Sequence, residues 1–242
     1  MKPHENRTYR KDVKSEGLVS FNISIKETDL WVSCDRDLKT KATDLVFEYR
    51  YQLETYIKSH PEFLTTLEAY PKDPYAPAIV KEMILSTRDL GVGPMASVAG
   101  AIAQYVGLGL LESADQVIVE NGGDIFLKLK RRATVSMFAG DSPLSEKIGL
   151  SIPARLMPLG ICSSSGEIGH SLSMGSADLI CLLSQSTVLA DGAATALGNK
   201  IRSKKDMEGF PEYAGNIDGL LGGIGIMGDM MATWGDVELI DL

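Results

Sequence analysis

Gln116-Val117-Ile118-Val119-Glu120-Asn121-Gly122-Gly123-Asp124-Ile125-Phe126-Leu127-Lys128 decides how the rest of the chain is read. Branched and aromatic residues flank an Asn-Gly-Gly step, and Asn and Gly readily take the positive φ of a hairpin turn. Two strands, Gln116–Glu120 and Asp124–Leu129, are therefore predicted. Downstream, 134–138, 148–152, 161–164 and 178–183 are short, branched and punctuated by glycine or proline, which predicts further strands of one largely antiparallel sheet. Upstream, 18–28 alternates, with Val19, Phe21, Ile23 and Ile25 on one face, and Asp29 is expected to turn it into Leu30-Trp31-Val32-Ser33-Cys34. Leu38, Ala42, Leu45, Tyr49, Leu53, Tyr56 and Ile57 recur at helical spacing, in a helix that stops before Pro61. Helical stretches follow at 79–85, after Pro94 and over 187–200, and 237–240 reads as a last strand. Strands, helices and strands again predict an α+β fold, a mixed, largely antiparallel sheet packed with helices, as a single domain over residues 1–242.

The chain carries 32 acidic against 24 basic side chains, a formal charge of −8, which argues against a nucleic-acid binder or a polybasic membrane-surface protein. Cys34, Cys162 and Cys181 lie far apart, a pattern of neither disulfides nor zinc ligands, and suggest a reducing compartment. The first residues lack the apolar core of a signal peptide, so a cytoplasmic location is expected. The stretch 90–111 has no charged residue and is long enough to span a bilayer. Its many glycines and alanines, and flanks without a basic cluster, predict a buried helix and no membrane partner. Its small residues Ala96, Gly100, Ala103 and Gly107 predict close backbone packing. A homodimer is the default oligomer for such a chain.

Candidate chemistry sits where cations are missing. No lysine or arginine occurs between Arg88 and Lys128, or between Arg155 and Lys200. A phosphate-bearing ligand there would need backbone N–H groups, helix N-termini or a bound cation; a buried core would show the same charge pattern. Asn121, Gly122, Gly123 and Asp124 are a hairpin turn that also lets a ligand approach the backbone. Asp191 and Thr195, four apart on a helix, project hard oxygens from one face, as Mg²⁺ prefers; the alternative is a helix cap with a packed threonine. Cys162, Ser163, Ser164, Ser165, Gly166 and His170 fall close together, so Cys162 or His170 are candidate catalytic groups. On its strand, Cys162 reads equally as an inert buried thiol.

In order, Gly91-Val92-Gly93-Pro94-Met95-Ala96, Val119-Glu120-Asn121-Gly122-Gly123-Asp124-Ile125, Ser164-Ser165-Gly166 and Ala190-Asp191-Gly192-Ala193-Ala194-Thr195-Ala196 resemble the ApbE-like superfamily of FAD:protein FMN transferases, and in particular a shorter branch of it. The resemblance implies a T-fold-like domain that takes FAD and Mg²⁺. Ala190 (through its carbonyl), Asp191 and Thr195 would be the metal ligands. Asn121, Gly122, Gly123, Asp124, Ser164, Ser165 and Gly166 would line the flavin cleft, and an acceptor protein's hydroxyl would displace AMP. The family helix's Lys-Gly pair and later Asp are replaced here by 95–103, which has neither. Two alternatives follow: a flavin- or nucleotide-binding module without transfer chemistry, and a sulfur-handling protein acting through Cys162.

Overall fold

The computed structural model describes residues 17–165 and 175–242. The chain opens as a hairpin of β1 (Val19–Ile25) and β2 (Thr28–Cys34), followed by α1 (Lys39–Ser59), α2 (Glu62–Thr65) and α3 (Ala78–Arg88). A 3₁₀ turn at Pro94–Ser97 leads into α4 (Val98–Leu111), then β3 (Val117–Asn121), β4 (Asp124–Lys128), β5 (Ala133–Ser136), β6 (Ile148–Ile152) and β7 (Leu159–Ser164). The remainder is β8 (Leu179–Ser184), α5 (Thr187–Lys200), α6 (Lys204–Glu208), α7 (Phe210–Gly215), β9 (Leu220–Met227), β10 (Met230–Gly235) and β11 (Leu239–Asp241).

The main sheet has eight strands in the order β1-β2-β3-β4-β7-β8-β9-β10, every pair antiparallel. Strand alternation divides it into two faces. Val32, Val119 and Phe126 point toward α1, α3 and α4, while Ile180 and Leu182 pack with α5, α6 and α7. On the other face, Leu127, Leu159, Ile161 and Ile224 pack with Leu150 and Ile152 of a second sheet, β11-β6-β5. The fold class is thus α+β as expected, with two corrections. The stretches 134–138 and 148–152 do not continue the main sheet; they fall in the small sheet that covers it. The first hairpin turns at Lys26–Glu27, two residues before Asp29, because Lys26 adopts φ of 53° and Ile25 pairs directly with Thr28. Asp29 is inside β2 and accepts a hydrogen bond from Asn22 Nδ2 at 2.7 Å.

Among the described residues, one helical stretch, Pro94–Leu111, is long and apolar enough to cross a membrane by length and composition. It is instead the central core helix. Ala101, Ala103, Val106 and Leu110 are fully buried. Glycine lets it approach so closely: a Cβ on Gly107 would lie 2.1 Å from the Phe126 ring, and one on Gly100 would lie 2.6 Å from the Thr187 carbonyl oxygen. Close packing therefore accounts for the small-residue stripe.

Candidate functional site

The described parts of the segments singled out in the sequence meet at one corner. The β3–β4 turn places Gly122 and Gly123 at φ of 69° and 108°, with Asn121 paired to Asp124 across it. That is the two-residue hairpin with positive φ at both central positions. Asp124 shares the helix-facing parity of Phe126, so its carboxyl points in under the helices and is only 6% exposed. From the other side of the corner, β7 runs antiparallel to β4 and brings Cys162 and Ser163 alongside: the Ser163 N–H donates to Asp124 Oδ1 at 3.3 Å, and Ser163 Oγ donates to the Gly123 carbonyl at 3.3 Å. Asn121 Nδ2 donates to the Ala99 carbonyl at 3.1 Å, tying the turn to the start of α4.

Helix α5 supplies Asp191 and Thr195 from one face, as their spacing predicts. Asp191 is 7% exposed, and its Oδ2 accepts the Gly100 N–H at 2.8 Å. Thr195 is also 7% exposed, with Oγ1 3.5 Å from the Ala96 carbonyl. Ala190 is fully buried beside Asp191, its N–H donating to the Ser186 carbonyl. Asp191 does not cap its helix; Ser186 does, its Oγ accepting the Leu189 N–H at 3.2 Å.

Two carboxyls thus share a dry corner, and none of the described lysines or arginines bonds to either. Burial pushes Asp124 up to about 7, against the opposing pull of the Cys162 thiol and the Ser163 N–H. Burial, followed by the charge of Asp124, raises Asp191 well above the usual carboxylate range, although the Gly100 and Ala99 backbone N–H groups favour its anion. The Cys162 thiol is fully buried, donates to the Thr187 carbonyl at 3.4 Å and is held protonated by burial and the nearby carboxylates. It is a sealed hydrogen-bond donor, not an exposed nucleophile. Ser164 ends β7 on the helix-facing side, 8% exposed, and Ser165 follows it at the edge. Gly166 and His170 lie outside the described residues.

The donor chemistry suits a hard cation. Among the described residues no group of three or more histidine, cysteine, aspartate or glutamate side chains is placed to hold a metal ion. Mg²⁺, however, commonly uses one or two carboxylates and completes its shell with neutral oxygens, water and phosphate. Uncompensated carboxylates beside a hydroxyl are such a set, and a cation would stabilise the ionised forms that burial disfavours.

Sequence reading passed over the groups that hold α5 in place. Gln104 Oε1 accepts the Thr187 N–H at 2.7 Å, and Gln104 Nε2 donates to Glu82 Oε1 at 2.7 Å. Gln104 is the one side chain with strong hydrogen-bonding capacity on α4 apart from Tyr105, a signal that a polar residue in so apolar a helix has a partner.

With this geometry in view, the comparisons with known proteins become informative. A family model described as "AbpE bacteria" matches residues 10–214. A UPF0280 protein of Methanocella arvoryzae is 39% identical over 217 residues, covering 89% of this chain and 88% of its own. The chain belongs to this family. Its UPF0280 relatives include proteins of Methanococcus aeolicus (36% identical, 91% of each chain covered) and Methanosarcina acetivorans (35% identical, 92% of this chain and 88% of its own). Among solved structures, the flavinyl transferase ApbE of Pseudomonas stutzeri, in its apo form, matches with a TM-score of 0.59 at 14% identity, over 89% of this chain and 93% of that one. A histidine-to-glycine variant of the flavin transferase ApbE of Vibrio cholerae matches with a TM-score of 0.56 at 12% identity, over 89% of this chain and 96% of that one. At such identities the likeness establishes an ApbE-like fold for this UPF0280 chain.

Proposed function

We propose that the corner between α4, α5 and the β3–β4 turn binds a flavin or related nucleotide diphosphate together with Mg²⁺, and that the protein is a divergent flavin transferase. The observation that carries this reading is the convergence of Asp124, Asp191 and Thr195 in a buried site to which none of the described lysines or arginines bonds. The ApbE fold supports it, since two proteins with that fold are described as flavin transferases. Asp191, Thr195 and the Ala190 carbonyl would hold the metal, which when bound would neutralise diphosphate charge. Asn121, Gly122, Gly123, Ser164, Ser165 and Gly166 would border the ligand, and the acceptor would be a protein hydroxyl.

A second reading, binding without transfer, is favoured by the leading turns of α4, where 94–103 carries no charged side chain to hold the flavin. A sulfur-handling role is less well supported, because Cys162 has no exposed surface. The deciding experiment titrates the purified protein with FAD, with and without Mg²⁺, and then analyses the mixture chromatographically for AMP. Mg²⁺-dependent binding is expected, with AMP and free FMN appearing in equal amounts as water takes the place of the acceptor hydroxyl. Binding that returns intact FAD even after a serine- or threonine-bearing acceptor peptide is added would favour the binding module, and absence of binding in both conditions would overturn the flavin reading.

A further inference from the structure

Three contacts between α5 and the continuous helical stretch of the 3₁₀ turn and α4 fall in one register. Ala96 faces Thr195, Gly100 faces Asp191 and Gln104 faces Thr187, through a 3.5 Å hydroxyl–carbonyl contact and hydrogen bonds of 2.8 and 2.7 Å respectively. Each step is four residues up one helix and four down the other, so the helices are antiparallel and the contacts stack on one face of each. The two upper rungs are the side chains assigned to the metal; the lowest rung is made by a glutamine that no ligand argument requires.

Behind Gln104 stands Glu82 of α3. Its Oε1 accepts Gln104 Nε2 at 2.7 Å and Ser186 Oγ at 3.2 Å. Ser186 caps α5, and Thr187 begins it. Glu82 therefore grips the first turn of α5 twice, once through the cap and once through Gln104. The Thr187 carbonyl accepts the Cys162 thiol, and Gly160 packs so close that a Cβ there would lie 2.4 Å from Thr187 Cα. This end of α5 is fixed on three sides. A slip of α5 by a fraction of a turn would break the lowest rung first, and would carry Asp191 and Thr195 away from α4 together.

We propose that Glu82 and Gln104 are positioning residues: they set the register of α5 on α4 and so hold Asp191 and Thr195 in place for a cation. This rests on the metal-binding reading of the corner, and follows the general rule that groups orienting metal ligands tune affinity strongly.

The test compares wild type, Gln104→Leu, Glu82→Leu, Glu82→Gln and Leu150→Ala. The last truncates a fully buried side chain in the small sheet on the opposite face, and serves as a destabilised control. Two quantities are read at a temperature where all five are folded by circular dichroism: Mn²⁺ affinity by electron paramagnetic resonance, with Mg²⁺ competition, and amide hydrogen exchange at Gly100 and Thr187 without metal. Gln104→Leu and Glu82→Leu are expected to weaken Mn²⁺ binding about ten-fold or more, and to speed exchange at both amides. Glu82→Gln keeps an acceptor oxygen for Gln104 and Ser186, and is expected to stay within about three-fold of wild type. Leu150→Ala should melt earlier yet keep wild-type affinity and Gly100 protection. If Gln104→Leu loses no more affinity than Leu150→Ala while wild type binds Mn²⁺, the positioning role is overturned and the metal reading stands. If wild type binds neither Mn²⁺ nor Mg²⁺, both fall.

Discussion

Two groups of acidic side chains in this molecule meet opposite fates. On α1, Arg50 donates to Glu27 and Glu54 at 2.6 and 2.8 Å, and Lys26 reaches Glu54 at 2.6 Å. There the glutamates are held below their ordinary range: Glu54 chiefly by the Lys26 hydrogen bond, and Glu27 by its own backbone and then Arg50. At the α4–α5 corner Asp124 and Asp191 accept backbone N–H groups and none of the described lysines or arginines bonds to them, and burial drives both toward the protonated form. One cluster is electrically complete within the chain and faces water. The other is buried and has no cationic partner among the described residues. Acidic residues alone do not mark a site; buried acidic residues without such a partner point to one.

The sharpest way to break the comparison is to remove the corner's charge. Asp191→Asn keeps an acceptor for the Gly100 N–H but loses the carboxylate. It should abolish Mg²⁺-dependent FAD binding by calorimetry, while the protein melts at or above the wild-type temperature at pH 8. Lost binding together with a melting point many degrees lower would instead make Asp191 a structural cap. Next in size comes the pH response of the metal-free protein. Burial pushes Asp124 up to about 7 in the folded protein, against near 4 in an unfolded chain. Between those values the folded state holds the Asp124 proton more tightly than the unfolded state, so the contribution of this group to stability falls as pH rises from about 4 to about 7. Thermal melts at pH 5 and pH 8 should show that fall, Mg²⁺ at pH 8 should reverse it, and Asp124→Asn should lessen it, leaving the part that buried Asp191 contributes.

The corner was more legible in the sequence than the frame that holds it. The Asn121–Asp124 hairpin and the Asp191/Thr195 face follow from turn chemistry and helical spacing, both local rules. The helix 187–200 and the strand 148–152 are found with those bounds. Strand β9 was hidden because Gly222, Gly223 and Gly225 look like a loop; in the fold, Cβ atoms at Gly223 and Gly225 would come within 2.4 Å of Leu182 and 2.7 Å of Met207. Those glycines answer to packing from neighbouring elements, which no window of sequence contains. The separation of β5 and β6 into a second sheet, and the link from Glu82 to Ser186 across 104 residues, are non-local for the same reason.

Gly100→Ala sharpens the comparison from the packing side. Its methyl would fall 2.6 Å from the Thr187 carbonyl oxygen and 2.8 Å from Asp191 Cβ, so α4 and α5 must separate. Overpacking of this kind costs about 1–3 kcal/mol, and a chain of this size loses about 2–4 °C in Tm per kcal/mol. Ligand affinity should fall along with Tm. Unchanged affinity would show that the corner tolerates a wider helix spacing than the three rungs imply.

The smallest effect is expected at the completed cluster. Glu54→Gln removes a carboxylate that pairs with Lys26 and Arg50, but its side chain is 43% exposed, and water already screens the pair. Exposed ion pairs contribute about 0.2–1 kcal/mol, and added salt should erase most of that. Arg50, with 13% exposure, keeps Glu27 and its hydrogen bond to Thr28, so it is not left as an unpaired charge. Thermal melts of Glu54→Gln at low and high salt should therefore differ from wild type by about 4 °C at most, and only at low salt. FAD and Mg²⁺ binding should be unchanged. A salt-independent loss of several degrees would mean that Glu54 anchors α1 to the β1–β2 hairpin by geometry more than by charge, and the two clusters would then differ less in kind than their electrostatics suggest.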